Sequence, residues 1–309
     1  MKGIILAAGS GDTFYPLNKV TSRYLLPVYD KPMIYYPLSI LMEAGIKEIL
    51  IIVSPQDLPM IESLLGDGDS LGIQIVYKEQ PSPIGTADAF SIGNSFIGDD
   101  SIAMILGDSI FIGSALKKYT YEAIERAGNQ NQATIFSCSV KDPQRFGVLT
   151  YNNSGKIISI EEKPEKPNSN HCVTGIYFYP NDVIEYVKEL KPSNRGEYEI
   201  TDLNNIYLNK NRLHIEIINK DFLWSNISNI EQLYKVSKRI KTFEEENDSI
   251  IGCVEAVAYL NGWINSNEIL SYETVDNVDF KYFYNHTAVH SNKYIQHVVS
   301  CVKKDLFDH

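Results

Sequence analysis

The strongest constraint on the fold is a run of apolar segments that alternate with helical patterns. KGIILAA is followed by MIYYPLSILMEAGI, a helical stretch ending at a glycine, and then by the apolar KEILIIVS. PMIESLLGDG, IQIVYKE, GTADAFSIGNSFI and SIAMILGD continue the helix, strand, helix, strand order. Strands that are apolar on both faces must be covered on both faces, and crossovers between them make parallel pairs. The first half therefore predicts an α/β, Rossmann-like, mostly parallel sheet with helices on either side. Ligands of such sheets bind outside the carboxyl ends of the strands. GSGD, after the first strand, and LGDS, after SIAMIL, both fall there and are expected to share one crevice.

From about residue 133 the elements shorten to the strands ATIFSCSV, FGVLTY, KIISIEEK and CVTGIYFY, with helices DVIEYVKEL and ITDLNNIYLN among the later ones. This is expected to be an insertion on the same sheet that completes a pocket. After residue 228 the pattern turns helical, with Ile230, Leu233, Val236 and Ile240 on one face of NIEQLYKVSKRIKTFEEEN. GCVEAVAYLNGWI follows, and Tyr294, Ile295, Val298, Val299, Val302 and Leu306 recur at helical spacing near the end. The expected division is 1–228 and 229–309.

Charge excludes some functions. The chain has 28 Lys and Arg against 39 Asp and Glu, a net charge of -11, which argues against nucleic acid or an anionic membrane as partner. An anionic ligand must then be met by a local site. No segment has the length of a membrane span, and GIILAA is too short and too poorly flanked for a signal peptide, so a cytoplasmic location is expected. Cys138, Cys172, Cys253 and Cys301 lack a C-x-x-C spacing, which indicates neither a zinc site nor a disulfide framework. His286 and His290 lie four apart, but no H-E-x-x-H frame or third ligand accompanies them.

The segment LAAGSGDTFYPLNKVTSRYLLP is not a P-loop, because it lacks the G-K-[ST] ending, and it only half fits G-x-G-x-x-G. Continued through VYDKPMIYYPLSILMEAGIKEILII, it closely resembles the glucose-1-phosphate thymidylyltransferase family, the sugar-phosphate nucleotidyltransferases that make dTDP-glucose. EQPSPIGTADAF, LGDSIF, DPQRFGV, EEKP, VTGIYFY, RGEYEIT and AYLNGWI extend the resemblance over about residues 2 to 265. It implies a nucleotide-binding sheet with a sugar-binding insertion in 1–228 and a helical oligomerisation or regulatory region in 229–309. It also implies Mg²⁺ and a homotetramer with a regulatory nucleotide site near the C-terminal helices. The implied chemistry is in-line attack by glucose 1-phosphate on the α-phosphorus of dTTP, with pyrophosphate leaving. That reaction needs positioning and charge neutralisation more than covalent help.

The same resemblance assigns the residues. Ala8, Gly9 and Gly11 of the loop, Asp108, and Gln80 and Gly85 at the thymine fall to the nucleotide. Gly147, Glu162, Lys163, Thr174, Gly175 and Tyr177 fall to the sugar. The residue types suit those roles: a carboxylate accepts from hydroxyls, a lysine reaches phosphate, and glycine admits the backbone.

At the phosphate end the chain departs from the family pattern. Thr13 stands where an arginine is usual, with Asp12 beside it, and Arg23 and Tyr24 replace a lysine and a glutamine. Asp108 is the expected Mg²⁺ ligand, but Asn226 replaces the second metal aspartate, Ser228 a following glycine and Ser109 an asparagine. In related transfers one arginine is worth roughly 10³ to 10⁵ in rate, about 4 to 7 kcal/mol. Arg23 and Asp108 are the catalytic groups that remain.

The expected function is therefore a catalytically impaired homologue that binds a thymidine nucleotide or dTDP-sugar and serves a regulatory or partner role, an active paralogue being one such partner. The alternative is an active sugar-1-phosphate nucleotidyltransferase with a rearranged phosphate site, its missing cation supplied by Lys19 or Arg23. A third reading is a structural protein with an occluded pocket. The last forty residues, including DFKYFYNHTAVHSNKYIQH, do not follow the family pattern and are expected to form an interaction or oligomer contact.

Overall fold

The protein is described by a computed structural model covering residues 1–113, 115–218, 223–247 and 249–265. The first half runs β1 (Lys2–Ala7), the short β2 (Pro27–Val28) and β3 (Lys31–Pro32), α1 (Tyr35–Glu43), β4 (Glu48–Val53), α2 (Leu58–Leu65), β5 (Gln74–Glu79), α3 (Asp88–Ile97), β6 (Ile102–Leu106) and β7 (Ser109–Ile112). The remainder is α4 (Leu116–Asn129), β8 (Ala133–Ser139), β9 (Gly147–Tyr151), β10 (Ile157–Glu162), β11 (His171–Tyr179), α5 (Val183–Glu189), α6 (Ile200–Asn209), β12 (Leu213–Ile217), β13 (Leu223–Asn226), α7 (Ile230–Asn247) and α8 (Val254–Leu260).

Among the described residues the central sheet has nine strands, in the order β10-β9-β11-β6-β1-β4-β5, with β8 also on β11 and β12 on β8. The segment β6-β1-β4-β5 is parallel, as the apolar runs predict. The cause is visible in the side chains. Successive residues of a strand point to opposite faces, and Ile4, Leu50, Ile52 and Met104 pack on one face while Ile5, Ile49, Ile51 and Ile105 pack on the other. Each such buried side chain contributes roughly 1.5–3 kcal/mol, so a strand with both faces apolar is stable only between two helical layers.

The second half enters the same sheet through β11, which runs antiparallel to β6 and β8. Its register against β8 shifts between Val173 and Tyr177, so Thr174 and Gly175 leave the ladder beside the end of β6. Such bulges bend a strand and re-aim its side chains. β7 and β13 form a separate antiparallel ribbon in which Asn226 pairs with Ser109. That ribbon was not legible in the sequence, because its strands are short.

The helical region packs on this core. Ser237 of α7 accepts from the Tyr29 amide at 3.0 Å, and buried Lys31 meets buried Glu244 at 3.6 Å. Asn261 donates to the Met42 carbonyl at the end of α1 at 2.9 Å. The apolar stripe of α7 is narrower than expected: Val236 and Ile240 are buried, whereas Ile230 is exposed at the first turn. Cys138 and Cys172 form no disulfide, and burial pushes the Cys138 thiol up to about 11 and the Cys172 thiol up to about 12. No helix among the described residues is long and apolar enough to cross a membrane. Cys301, His286, His290, the expected tail helix and the aromatic C-terminal stretch lie outside the described residues.

Candidate functional site

GSGD and LGDS do converge. β1 and β6 are neighbours, and the Gly107 amide donates to the Leu6 carbonyl at 2.9 Å. Past the end of β1, Ala8 is buried and Gly11 takes a left-handed φ of 70°, which turns the loop into the single-turn helix Asp12–Phe14. Glycine adopts that conformation without the steric cost other residues meet.

Arg23 and Tyr24 lie beneath the loop, in the turn Arg23–Leu25. The buried Tyr24 hydroxyl accepts from the Gly9 amide at 3.0 Å and from Arg23 Nη2 at 2.6 Å. Burial pushes the phenol up, against the opposing effect of Arg23, so it stays protonated. The same Nη2 lies 3.0 Å from Asp108 Oδ2, while Asn226 Nδ2 donates to Asp108 Oδ1 at 2.9 Å. A Cβ on Gly9 would collide with the Arg23 guanidinium. The buried Arg23 Nε has no partner among the described residues.

Thr13, at the arginine position, donates its hydroxyl to the Ser228 carbonyl, and the Ser228 hydroxyl accepts from Arg145 Nη2. One serine thus joins the phosphate loop to a cation from the turn Pro143–Arg145. Sequence reasoning missed Arg145. DPQRFGV was read only for Gly147, although a cation two residues before a pocket glycine was the available signal. Lys19, considered as a replacement cation, is exposed with its amine over the Tyr15 ring at 5.1 Å.

The expected sugar residues gather around β9, β10 and β11. Pairing of β9 with β10 sets Glu162 opposite Gly147, and a Cβ on Gly147 would stand 3.5 Å from Glu162 Oε2. Glu162 lies 3.8 Å from Lys163 Nζ and 3.8 Å from Arg195 Nη1. Burial, reinforced by Glu199, raises the Glu162 carboxyl above its ordinary range, against Lys163 and Arg195. Lys163 has a φ of 43°, uncommon for a residue with a side chain and typical of functional sites. Thr174 is buried and its hydroxyl has no partner among the described residues. On Gly175 a Cβ would overlap the Ser109 hydroxyl, so only glycine lets β11 approach the end of β6. The buried Tyr177 phenol is raised by burial and by the nearby carboxylates of Glu162 and Asp108.

At the other end Gln80 is buried and donates to Asp88 Oδ2 at 2.9 Å. Gly85 has a φ of 125° and sits against the Tyr198 backbone. Tyr198 pairs with this loop through its amide to the Ile84 carbonyl at 2.7 Å and its carbonyl to the Ala87 amide at 3.1 Å. The segment 195–201 therefore ties the Gly85 loop to Glu162, with Arg195 bridging Glu162, Glu197 and Glu199. Arg195 was quoted in RGEYEIT without a role; its charge, three residues before the contact with the base loop, was the signal.

The resemblance implies Mg²⁺ at Asp108, and the side chains there do not fit it. Hard divalent cations take oxygen ligands and favour carboxylates. Here each Asp108 oxygen already accepts a hydrogen bond, one from the Arg23 guanidinium and one from the amide N–H that Asn226 presents at the second position. No group of three or more His, Cys, Asp or Glu among the described residues is placed to hold a metal ion.

A parallel core carrying a small-residue loop on its central strand, an acidic turn on the next strand and a polar pocket under an antiparallel addition defines an α/β nucleotidyltransferase fold. The profile of the family described as "Nucleotidyl transferase" matches residues 2–242, and the chain belongs to that family, in its glucose-1-phosphate thymidylyltransferase branch. Glucose-1-phosphate thymidylyltransferase of Neisseria meningitidis is 46% identical over 269 residues, 87% of this chain and 92% of that protein. The Mycobacterium tuberculosis enzyme of that name is 44% identical over 270 residues, covering 87% and 92%. Among solved structures, a Bacillus anthracis protein described as a candidate glucose-1-phosphate thymidylyltransferase, crystallised with sucrose, superimposes with a TM-score of 0.71 at 40% identity, covering 77% of this chain and 94% of that one. A UDP-glucose pyrophosphorylase complexed with UDP-glucose shares the fold at a TM-score of 0.67 and 24% identity, covering 78% and 98%.

Proposed function

We propose that this chain is a sugar-1-phosphate nucleotidyltransferase that joins glucose 1-phosphate, or a related hexose 1-phosphate, to a thymidine nucleotide, with a rearranged phosphate site. The observation that supports this reading is 46% identity to glucose-1-phosphate thymidylyltransferases in a chain that keeps Glu162 and Lys163 at the end of β10 and Thr174 and Gly175 in the β11 bulge. This replaces the expected impaired binder by its alternative, because the similarity lies with proteins named as glucose-1-phosphate thymidylyltransferases, which supports the active reading over the impaired one.

In this reading Gln80 and the backbone at Gly85 hold the base, and Glu162 accepts hydrogens from sugar hydroxyls. Lys163 holds the sugar's phosphate for in-line attack on the α-phosphorus as pyrophosphate leaves. The loop amides from Ser10 to Thr13 face the nucleotide phosphates, and Arg145, delivered through Ser228, supplies the charge that Thr13 lacks. A cytoplasmic homo-oligomer is part of the same proposal, by resemblance to the family.

A second reading, ligand binding without turnover, is favoured by one observation: both Asp108 carboxylate oxygens already accept hydrogen bonds, one from Arg23 and one from Asn226. Pyrophosphate release from glucose 1-phosphate and dTTP, at high protein concentration, separates the two. Turnover supports the enzyme. Ligand-induced thermal stabilisation without pyrophosphate supports the binder. The double variant T13R/N226D sharpens the test, since a large gain in turnover marks an impaired parent and lost activity marks a working rearranged site.

A further inference from the structure

The mismatch between Asp108 and a divalent cation has a structural cause. Arg23 is held in place by contacts unrelated to any ligand: Tyr24 binds its Nη2 at 2.6 Å, and its side chain runs beneath Gly9 and Gly11. Asn226 is equally fixed, because the β7–β13 ribbon pairs it with Ser109 and the Ile227 amide donates to the Asp108 carbonyl at 2.9 Å. The Asp108 carboxylate is therefore neutralised by one built-in cation and capped on its other oxygen by a neutral donor. A divalent ion would compete with both hydrogen bonds and sit near a guanidinium of like charge.

The guanidinium is not used up by these contacts. Its Nε is buried and has no acceptor among the described residues. A buried N–H of this kind costs stability until an acceptor arrives, and an oxygen of an incoming diphosphate is an acceptor of the right charge.

We propose that Arg23 serves in place of the divalent cation, so that this chain binds a nucleoside diphosphate sugar without metal. The inference rests on the reading that the crevice takes a nucleotide. Metal dependence then becomes a property of residue 226: a second carboxylate there would leave net negative charge beside the phosphates and call for a cation.

Titration calorimetry of the full chain with dTDP-glucose, in EDTA and in excess Mg²⁺, tests this, with thermal shift as a second readout. The expected Kd in EDTA lies within about threefold of that in Mg²⁺. N226D, nearly isosteric, is expected to lose about tenfold or more in EDTA and to recover in Mg²⁺. A wild-type chain that needs Mg²⁺ overturns the inference while leaving the nucleotide reading intact. N226D that remains indifferent to EDTA also overturns it, because Asn226 would then not be what keeps the metal out. Absence of binding under both conditions overturns the nucleotide reading itself, and the inference falls with it.

Discussion

The Arg23 guanidinium lies 3.0 Å from the Asp108 carboxylate, across the crevice between the first loop and the end of β6. Both groups are mostly shielded, so the pair is screened less than a surface ion pair would be. The pair holds the Arg23 guanidinium directly beneath Gly9 of the first loop. The loop edge is reached by Arg145, through Ser228.

Arg145 is therefore the residue whose loss should tell most about turnover. Arg145→Ala is expected to lower kcat/KM for pyrophosphate release by about a hundredfold or more. The drop should fall mainly on kcat, since the group acts on developing phosphate charge. An unchanged kcat would remove Arg145 from the phosphate site.

The raised Glu162 carboxyl gives the sugar end a pH dependence. Burial is the main cause and Glu199 adds to it, so the group takes up a proton at a higher pH than an ordinary glutamate. The protonated form no longer accepts two hydroxyl hydrogens. Affinity for glucose 1-phosphate is expected to fall as pH drops, starting above the usual carboxylate range. Glu162→Gln should flatten that profile and weaken binding at pH 8 by about tenfold or more. Calorimetry at several pH values checks both.

Gly175 tests the close approach of β11 to β6. Gly175→Ala places a methyl on the Ser109 side chain and is expected to destabilise the fold by about 1–3 kcal/mol. Combining it with Ser109→Gly should recover much of the loss, because the colliding atoms are then absent. Urea unfolding of the single and double variants measures the difference.

Glu244 tests the anchoring of α7. Its Oε1 accepts from the Ile251 amide at 2.9 Å and faces Lys31 at 3.6 Å, with both side chains almost fully buried. Glu244→Ala is expected to cost about 1–3 kcal/mol, because the Ile251 amide loses its acceptor while Lys31 keeps its ion pair with Asp30. A loss below about 1 kcal/mol would show that the other contacts of Lys31 suffice.

The apolar runs of the sequence alone determined the parallel core. KEILIIVS has nowhere to go except between two helical layers, and glycine-containing turns at the ends of β1 and β6 then fall at one edge. The strings expected at the sugar are local in the fold as well: EEKP straddles the end of β10, and VTGIY lies within β11. The tertiary structure alone decided where the cations point. Asn226 reaches Asp108 from 118 residues away, and Thr13 meets Ser228 across 215. Long cationic side chains take their direction from whichever acceptor a distant element delivers, and local sequence carries no trace of that choice. The Arg23–Asp108 pair and the placements of Arg145 and Arg195 therefore emerge only once β6, β13 and the segment 195–201 are in place.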